Sequence, residues 1–304
     1  MYADVHNSDD VMYTERALME FRYEVLAAAE AQAAVFGYKG AQFPWCTVSF
    51  GRSSGCCSGQ GGWELCLEQH ITPDVGFSML QYYRWTGDKA WLKAIGYPIA
   101  KGVADWIVSR ARWNAKDGHF HIYKVMPVDE WCDNGASGCG DSGVDDDPQM
   151  NGASIAALQF AAEAADALGM SPDPGWLNVS TKILLPYGSF ETPYGKYSDV
   201  HLMPNRTVPF STYMKNGVAT VCPEDVMYLT YPMGPALNIT METTARDFDA
   251  WVGSGLTCLE NSGMALHFAS YMHTGEGFYK CASCRRCISS QPWPLQGDIN
   301  LTVH

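Results

Sequence analysis

The chain has 304 residues, 47% hydrophobic, 12% aromatic and only 17% charged, a composition that supports a sizeable core and excludes a disordered protein. Its formal net charge of −13, with no Lys/Arg stripe, excludes the basic face a nucleic-acid partner requires and leaves room for a neutral ligand such as a sugar. No apolar run approaches the ~20 residues of a membrane span, and no Pro/Ser-rich linker divides the chain, so one domain over 1–304 is expected.

Residues 13–36 are rich in Ala, Leu and Glu, with apolar positions at Leu18, Phe21, Val25, Ala28 and Ala29 and a stop at Gly37. That pattern predicts one helix of about six turns. The spacing predicts further helices over 74–85, ending at Gly87, and over 91–108, interrupted by Pro98 and closed by Arg110. Residues 119–125 read as a strand. A fourth, Ala-rich helix covers 153–168 and ends at Gly169, and 224–231 and 263–272 are shorter candidates. Between them, 46–63, 132–151 and 186–222 are Gly-, Ser-, Cys-, Asp- and Pro-rich loops long enough to shape a site. Helices joined alternately by short turns and long loops predict an all-α architecture, with helical hairpins packed in a ring and the long loops on one face.

Eleven cysteines, among them Cys56, Cys57, Cys132 and Cys139, suggest disulfides, and their odd number leaves one unpaired or intermolecular. Glycosylation sequons begin at Asn178, Asn205, Asn238 and Asn300, which adds weight to a secretory-pathway location. Residues 1–10 lack the basic start and apolar stretch of a signal peptide, so the start is expected to lie inside a longer protein. Cys281, Cys284 and Cys287 resemble part of a zinc or iron–sulfur ligand set without a fourth ligand, and are read as disulfide or free thiols. The acidic run 141–147 lacks the spacing of a calcium loop and reads as solvated.

Chemistry concentrates at three places. After Pro127, Asp129 and Glu130 stand side by side against Trp131. Like-charge repulsion and partial burial would keep one carboxyl protonated near neutrality, as a general acid needs, while an acidic helix start is the plain alternative. Trp45, behind Pro44, could present an indole to a pyranose ring or simply fill the core. Glu68, His70 and Asp74 could hydrogen-bond sugar hydroxyls or cap the second helix. No phosphate loop, Gly-x-Ser-x-Gly elbow, His-Glu-x-x-His or dinucleotide fingerprint occurs, so carboxylate chemistry without cofactor or metal is expected.

Six ordered segments, Tyr38-Lys-Gly-Ala-Gln-Phe-Pro-Trp45, Glu68-Gln-His-Ile71, Tyr82-Tyr-Arg-Trp-Thr-Gly-Asp88, Ala104-Asp-Trp-Ile-Val-Ser-Arg110, Val125-Met-Pro-Val-Asp-Glu-Trp131 and Asp225-Val-Met-Tyr-Leu-Thr-Tyr-Pro232, resemble glycoside hydrolase family 65. Within that family, which includes acid trehalases and disaccharide phosphorylases, the chain looks most like the protein-glucosylgalactosylhydroxylysine glucosidases. The likeness runs from about 13 to 231, leaving 1–12 and 281–304 as poorly matched ends. It implies an (α/α)6 barrel that lacks the family's N-terminal β-sandwich and first helices. It also implies inversion at an α-glucosidic bond, a carbohydrate substrate and a general acid at Glu130. Trp45, Glu68, His70 and Asn151 fall on motif positions around the pocket, and Asp129 joins them as a substrate-binding residue beside the acid.

An inverting hydrolase needs a second carboxylate roughly 6.5–9.5 Å from the acid. In the glucosidases that base is a Glu late in the barrel after a Pro-Phe segment; Pro292-Trp-Pro-Leu-Gln-Gly-Asp298 occupies the corresponding place by spacing, so the resemblance makes Asp298 the candidate base. The chain departs from the family at Cys222-Pro223, where a sugar-touching Lys-Gln pair is expected, and in an insertion after Glu130 that carries two cysteines. Three functions follow: an inverting α-glucosidase acting on a glucosyl disaccharide or glycan end, a phosphorylase of the same fold, or a degenerate glycan-binding paralogue.

Overall fold

The computed structural model describes residues 9–45, 67–127, 143–192, 195–203, 214–215, 218–219, 224–230 and 232–253. The expected helix over 263–272, all eleven cysteines, Asp129, Glu130 and Asp298 lie outside the described residues.

The helix expected over 13–36 is two, α1 (Asp9–Glu24) and α2 (Leu26–Val35). Hydrogen bonds continue across the joint, from Val25 N to Phe21 O and from Ala29 N to Val25 O, so the pair is a rod bent at a buried β-branched residue. The rod ends as its glycine foretells: Gly37 has φ +78°, Tyr38 N donates to Ala33 O and Gly37 N to Ala34 O, the paired bonds of a left-handed C-terminal cap.

α3 (Ile71–Thr86) ends at left-handed Gly87. A short α4 (Lys89–Trp91), capped by Asp88, then runs through a π turn (Leu92–Gly96) into α5 (Tyr97–Arg110). The irregularity expected at Pro98 takes the form of the π turn directly before it: Pro98 sits in the first turn of α5, and the helical run continues through the change without a break.

Between α2 and α5 the chain turns at Gly40, with φ +72°, and Ala41 N donates to Gly102 O of α5 at 2.8 Å. A Cβ at Gly40 would stand 2.2 Å from Gly102 O and 2.4 Å from Trp106 N, both backbone atoms of that helix. Gly40→Ala is expected to destabilise the fold by about 1–3 kcal/mol, read as a lowered midpoint in urea, because the strain and the clash have no flexible neighbour to absorb them.

The central element is α6 (Pro148–Ala167), against which α3, α5, α7 (Pro174–Ser180) and α8 (Glu224–Thr230) pack. Its small residues explain this: Ala153, Ala156, Ala157, Ala161, Ala164 and Ala165 are all buried, so neighbours approach from several sides. Gly76 of α3 lies so close that an added Cβ would stand 2.7 Å from the Cβ of Ala157. α6 begins five residues before the predicted 153, because Asp147 caps it and Pro148 opens it.

The molecule is mostly helical but not all-α. β1 (Arg112–Asn114) pairs antiparallel with β2 (His119–His121), β3 (Tyr187–Thr192) with β4 (Gly195–His201), and β5 (Met214–Lys215) with β6 (Val218–Ala219). Two of these ribbons fall in the stretch 186–222 expected to be loop. The β3–β4 ribbon is supported from far along the chain: on α9 (Met241–Gly253), Trp251 stacks on Phe190 at 4.4 Å and donates to His201 O, and Asp247 meets His201 Nδ1 at 2.7 Å. The strand expected over 119–125 keeps its ladder only to His121; beyond it the chain crosses to other partners. No described helix is long and apolar enough to cross a membrane.

Candidate active site

Three segments cross one another: the turn 67–70 before α3, the run 122–127 after β2, and 143–147 leading into α6. Val125 and Val144 exchange backbone hydrogen bonds at 2.9 and 2.8 Å, Met126 N donates to Leu67 O at 2.9 Å, and Asp146 N donates to Ile122 O at 2.9 Å. Arg110, buried at the end of α5, joins two of the segments by donating from Nε to Gln69 Oε1 at 2.8 Å and from Nη2 to Tyr123 O.

The crossing is tight. Lys124 and Asp146 hold φ +55° and +57°, and Gly143 has φ +57° with its missing Cβ 2.8 Å from Lys124 C. Left-handed non-glycine residues persist only where their surroundings over-determine them, and such places often serve a site.

Under this crossing lies a buried charged cluster. His70 Nδ1 meets Asp74 Oδ2 at 2.9 Å, His70 Nε2 meets Glu68 Oε1 at 3.1 Å, and Gln149 Nε2 donates to Asp74 Oδ2 at 3.3 Å. A neutral imidazole carries one N–H, so a ring facing carboxylates at both nitrogens is an imidazolium. Burial opposes that charge, but the hydrogen bonds to Asp74 and Glu68 outweigh it and hold the pKa of His70 at about 10. Asp147, at the start of α6, has its pKa pushed up to about 6 by burial, against the Met150 N–H it accepts, the His70 charge and Asp225 nearby. Asp74 raises it a little further.

A second relay flanks the first. His121 lies between Asp146 Oδ2 at 2.7 Å and Asp117 Oδ2 at 3.0 Å, and these partners outweigh burial to raise its pKa.

The sequence-predicted residues are placed unequally. Glu68 and His70 come together, but not as a helix cap: His70 occupies the N-cap position of α3 without a side-chain capping bond. Asn151 is buried in the first turn of α6 and donates from Nδ2 to Leu184 O at 2.7 Å and to Asp146 Oδ1 at 3.3 Å. Trp45 is 44% exposed, which removes the core reading and leaves an indole at the surface. Asp146 and Asp147, taken for a solvated acidic loop, are buried at 9% and 1% exposure, one holding His121 and the other capping α6. Sequence reasoning missed Gln149 altogether and read Asp147 only as part of the acidic run, although Asp147-Pro148 is a helix-start signature.

Several acceptors in this cluster have no hydrogen-bond donor among the described residues: Glu68 Oε2, Asp74 Oδ1, Asp147 Oδ2, Gln149 Oε1 and Asn151 Oδ1. A site with spare acceptors beside a fixed positive charge suits a ligand rich in hydroxyl donors.

The model of the glycosyl hydrolase family 65 central catalytic domain matches residues 7–184. Over 170 residues the chain is 36% identical to a kojibiose hydrolase of Flavobacterium johnsoniae, a match covering 56% of this chain and 23% of that protein. Over 180 residues it is 31% identical to a protein-glucosylgalactosylhydroxylysine glucosidase of Danio rerio, covering 57% and 24%. The chain spans about a quarter of the length of these curated relatives. A solved structure from the human microbiome, described as a candidate kojibiose phosphorylase, shares the fold with a TM-score of 0.64 at 15% identity, over 87% of this chain and 36% of that one.

Proposed function

Because this chain belongs to glycosyl hydrolase family 65, we propose that it takes part in inverting hydrolysis of an α-glucosidic bond in a glucosyl disaccharide or glycan end, with Glu130 as general acid. The observation that carries this reading is the span of the family match: residues 7–184 include Glu130 and the cluster of Glu68, His70, Asp74 and Asp147. A kojibiose hydrolase and a glucosidase match over 170 and 180 residues, against 128 and 123 residues for two kojibiose phosphorylases at 32% and 34% identity, and the longer matches favour water over phosphate as the nucleophile.

Covalent reach supports the role of Glu130. It follows Pro127 by three residues, at most about 11 Å of chain. The residue before Pro127, Met126, is hydrogen-bonded to Leu67 beside Glu68. A protonated Glu130 would donate to the glycosidic oxygen while a second carboxylate, for which Asp298 is the candidate, directs water to the opposite face of the sugar. The α6-centred helices are proposed as part of an (α/α)6 barrel, a reading favoured by the fold shared with the solved structure. The sequons support a secretory-pathway location.

The test is glucose release from kojibiose, trehalose and glucosylgalactose, with and without phosphate. Hydrolysis that does not need phosphate is expected. Release strictly dependent on phosphate and yielding glucose 1-phosphate would make the chain a phosphorylase, and no turnover of any glucoside would sink the proposal.

A further inference from the structure

We propose that Asp74 is a positioning residue of this site: through His70 it fixes Glu68 so that Glu68 Oε2 is held as the acceptor for a hydroxyl of the bound sugar. The inference rests on the reading that the chain takes an α-glucoside.

Both ring nitrogens of His70 are committed, Nδ1 to Asp74 at 2.9 Å and Nε2 to Glu68 at 3.1 Å, so His70 has no donor left for a substrate. Its effect on a ligand must pass through Glu68. The bond to Nε2 uses only Oε1 of Glu68, and Oε2 is buried with no partner among the described residues, in a residue that is 5% exposed. Leaving a carboxylate oxygen unsatisfied inside the protein is costly unless a donor arrives, and a sugar hydroxyl is such a donor.

Glu68 also adjoins the run that leads in sequence to Glu130. Its neighbour Leu67 accepts from Met126 N, on the run that leads through Pro127 to Glu130. Asp74 is itself held, by Gln149 Nε2 from the first turn of α6, so the order of support runs from α6 through Asp74 and His70 to Glu68. Among the described residues, the charged groups facing His70 are Glu68 from the turn before α3, Asp74 from α3 itself, and Asp147 from the start of α6, with Asp225 of α8 behind it. All are carboxyls, so losing one weakens the hold on the imidazolium proton without removing it.

The experiment measures kojibiose hydrolysis by the full chain and by Asp74→Asn, Asp74→Glu and Glu68→Gln across pH 5–9, together with the ¹⁵N signals of His70. Asp74→Asn is expected to raise KM by about tenfold or more, the scale of one hydrogen bond to a charged group, with a much smaller change in kcat. The defect should grow toward pH 9 as His70 loses its proton, and Asp74→Glu should restore part of it. A purely structural role would lower the melting temperature without this pH-dependent rise in KM.

Glu68→Gln should raise KM at every pH, which keeps the test decisive if Asp74→Asn fails to fold. Wild-type KM in Glu68→Gln, or in a folded Asp74→Asn across the pH range, overturns the inference, as does a neutral His70 at pH 8 in the wild type. Those results leave the proposed function standing. A wild-type chain that neither binds nor cleaves any glucoside removes the function, and the inference with it.

Discussion

Glutamine in place of Glu130 is expected to lower kcat/KM for disaccharide hydrolysis by about 10²–10⁴-fold, the usual worth of a positioned general acid. The leaving group in such a substrate is a sugar alkoxide, which departs slowly unless protonated as the bond breaks. Glutamine matches glutamate in size but has no acidic proton to give. The discriminating measurement uses a substrate whose leaving group needs no proton, such as α-glucosyl fluoride. Glu130→Gln should keep most of its activity on the fluoride and lose it on kojibiose. Equal losses on both would assign Glu130 to binding or folding, and unchanged kojibiose hydrolysis would end its candidacy as acid.

Alanine at position 70 is expected to cost about 3–5 kcal/mol of stability, the scale for removing one partner from a buried ion pair. Glu68 and Asp74, at 5% and 9% exposure, would face each other without the cation between them. Urea unfolding of wild type and His70→Ala measures this directly; a difference below about 1 kcal/mol, within the range of an exposed pair, would mean the triad is not buried as a charged unit.

The same residue sets a pH slope. Its folded pKa of about 10 lies above the ordinary 6.5, so its contribution is full below pH 6.5 and is lost as pH rises toward 10. Asp147 acts in the same direction at lower pH: its folded pKa of about 6 exceeds the ordinary 3.8, so the fold loses stability as pH rises from 3.8 to 6. Thermal midpoints should therefore fall on the alkaline side in the wild type, and His70→Ala should flatten that limb.

The sequence by itself located α1–α2, α3, α4–α5, α6 and α8 and most of their C-terminal ends, but not α7 or α9. Gly37 and Gly87 stop helices in left-handed conformations as read. Asp88, which caps α4, and Asp147-Pro148, which starts α6, are local signals of the same kind, since caps depend on residues within a turn of one another, although the sequence pattern predicts α6 only from 153. The ordered motifs likewise carried the family, since a match over 7–184 draws on many short segments at once.

Only the tertiary structure decided what the charged residues do. Glu68, His70 and Asp74 are neighbours in sequence, yet their meaning changed from helix cap to buried ion triad through burial and through Gln149, 75 residues beyond Asp74. Asp147 looks like one of several acidic loop residues until α6 buries it, and the β3–β4 ribbon looks like loop until Trp251 of α9 stacks upon it. Desolvation and long-range packing leave no local pattern: the same side chain is a solvated anion or a proton-holding acid according to which distant segment covers it.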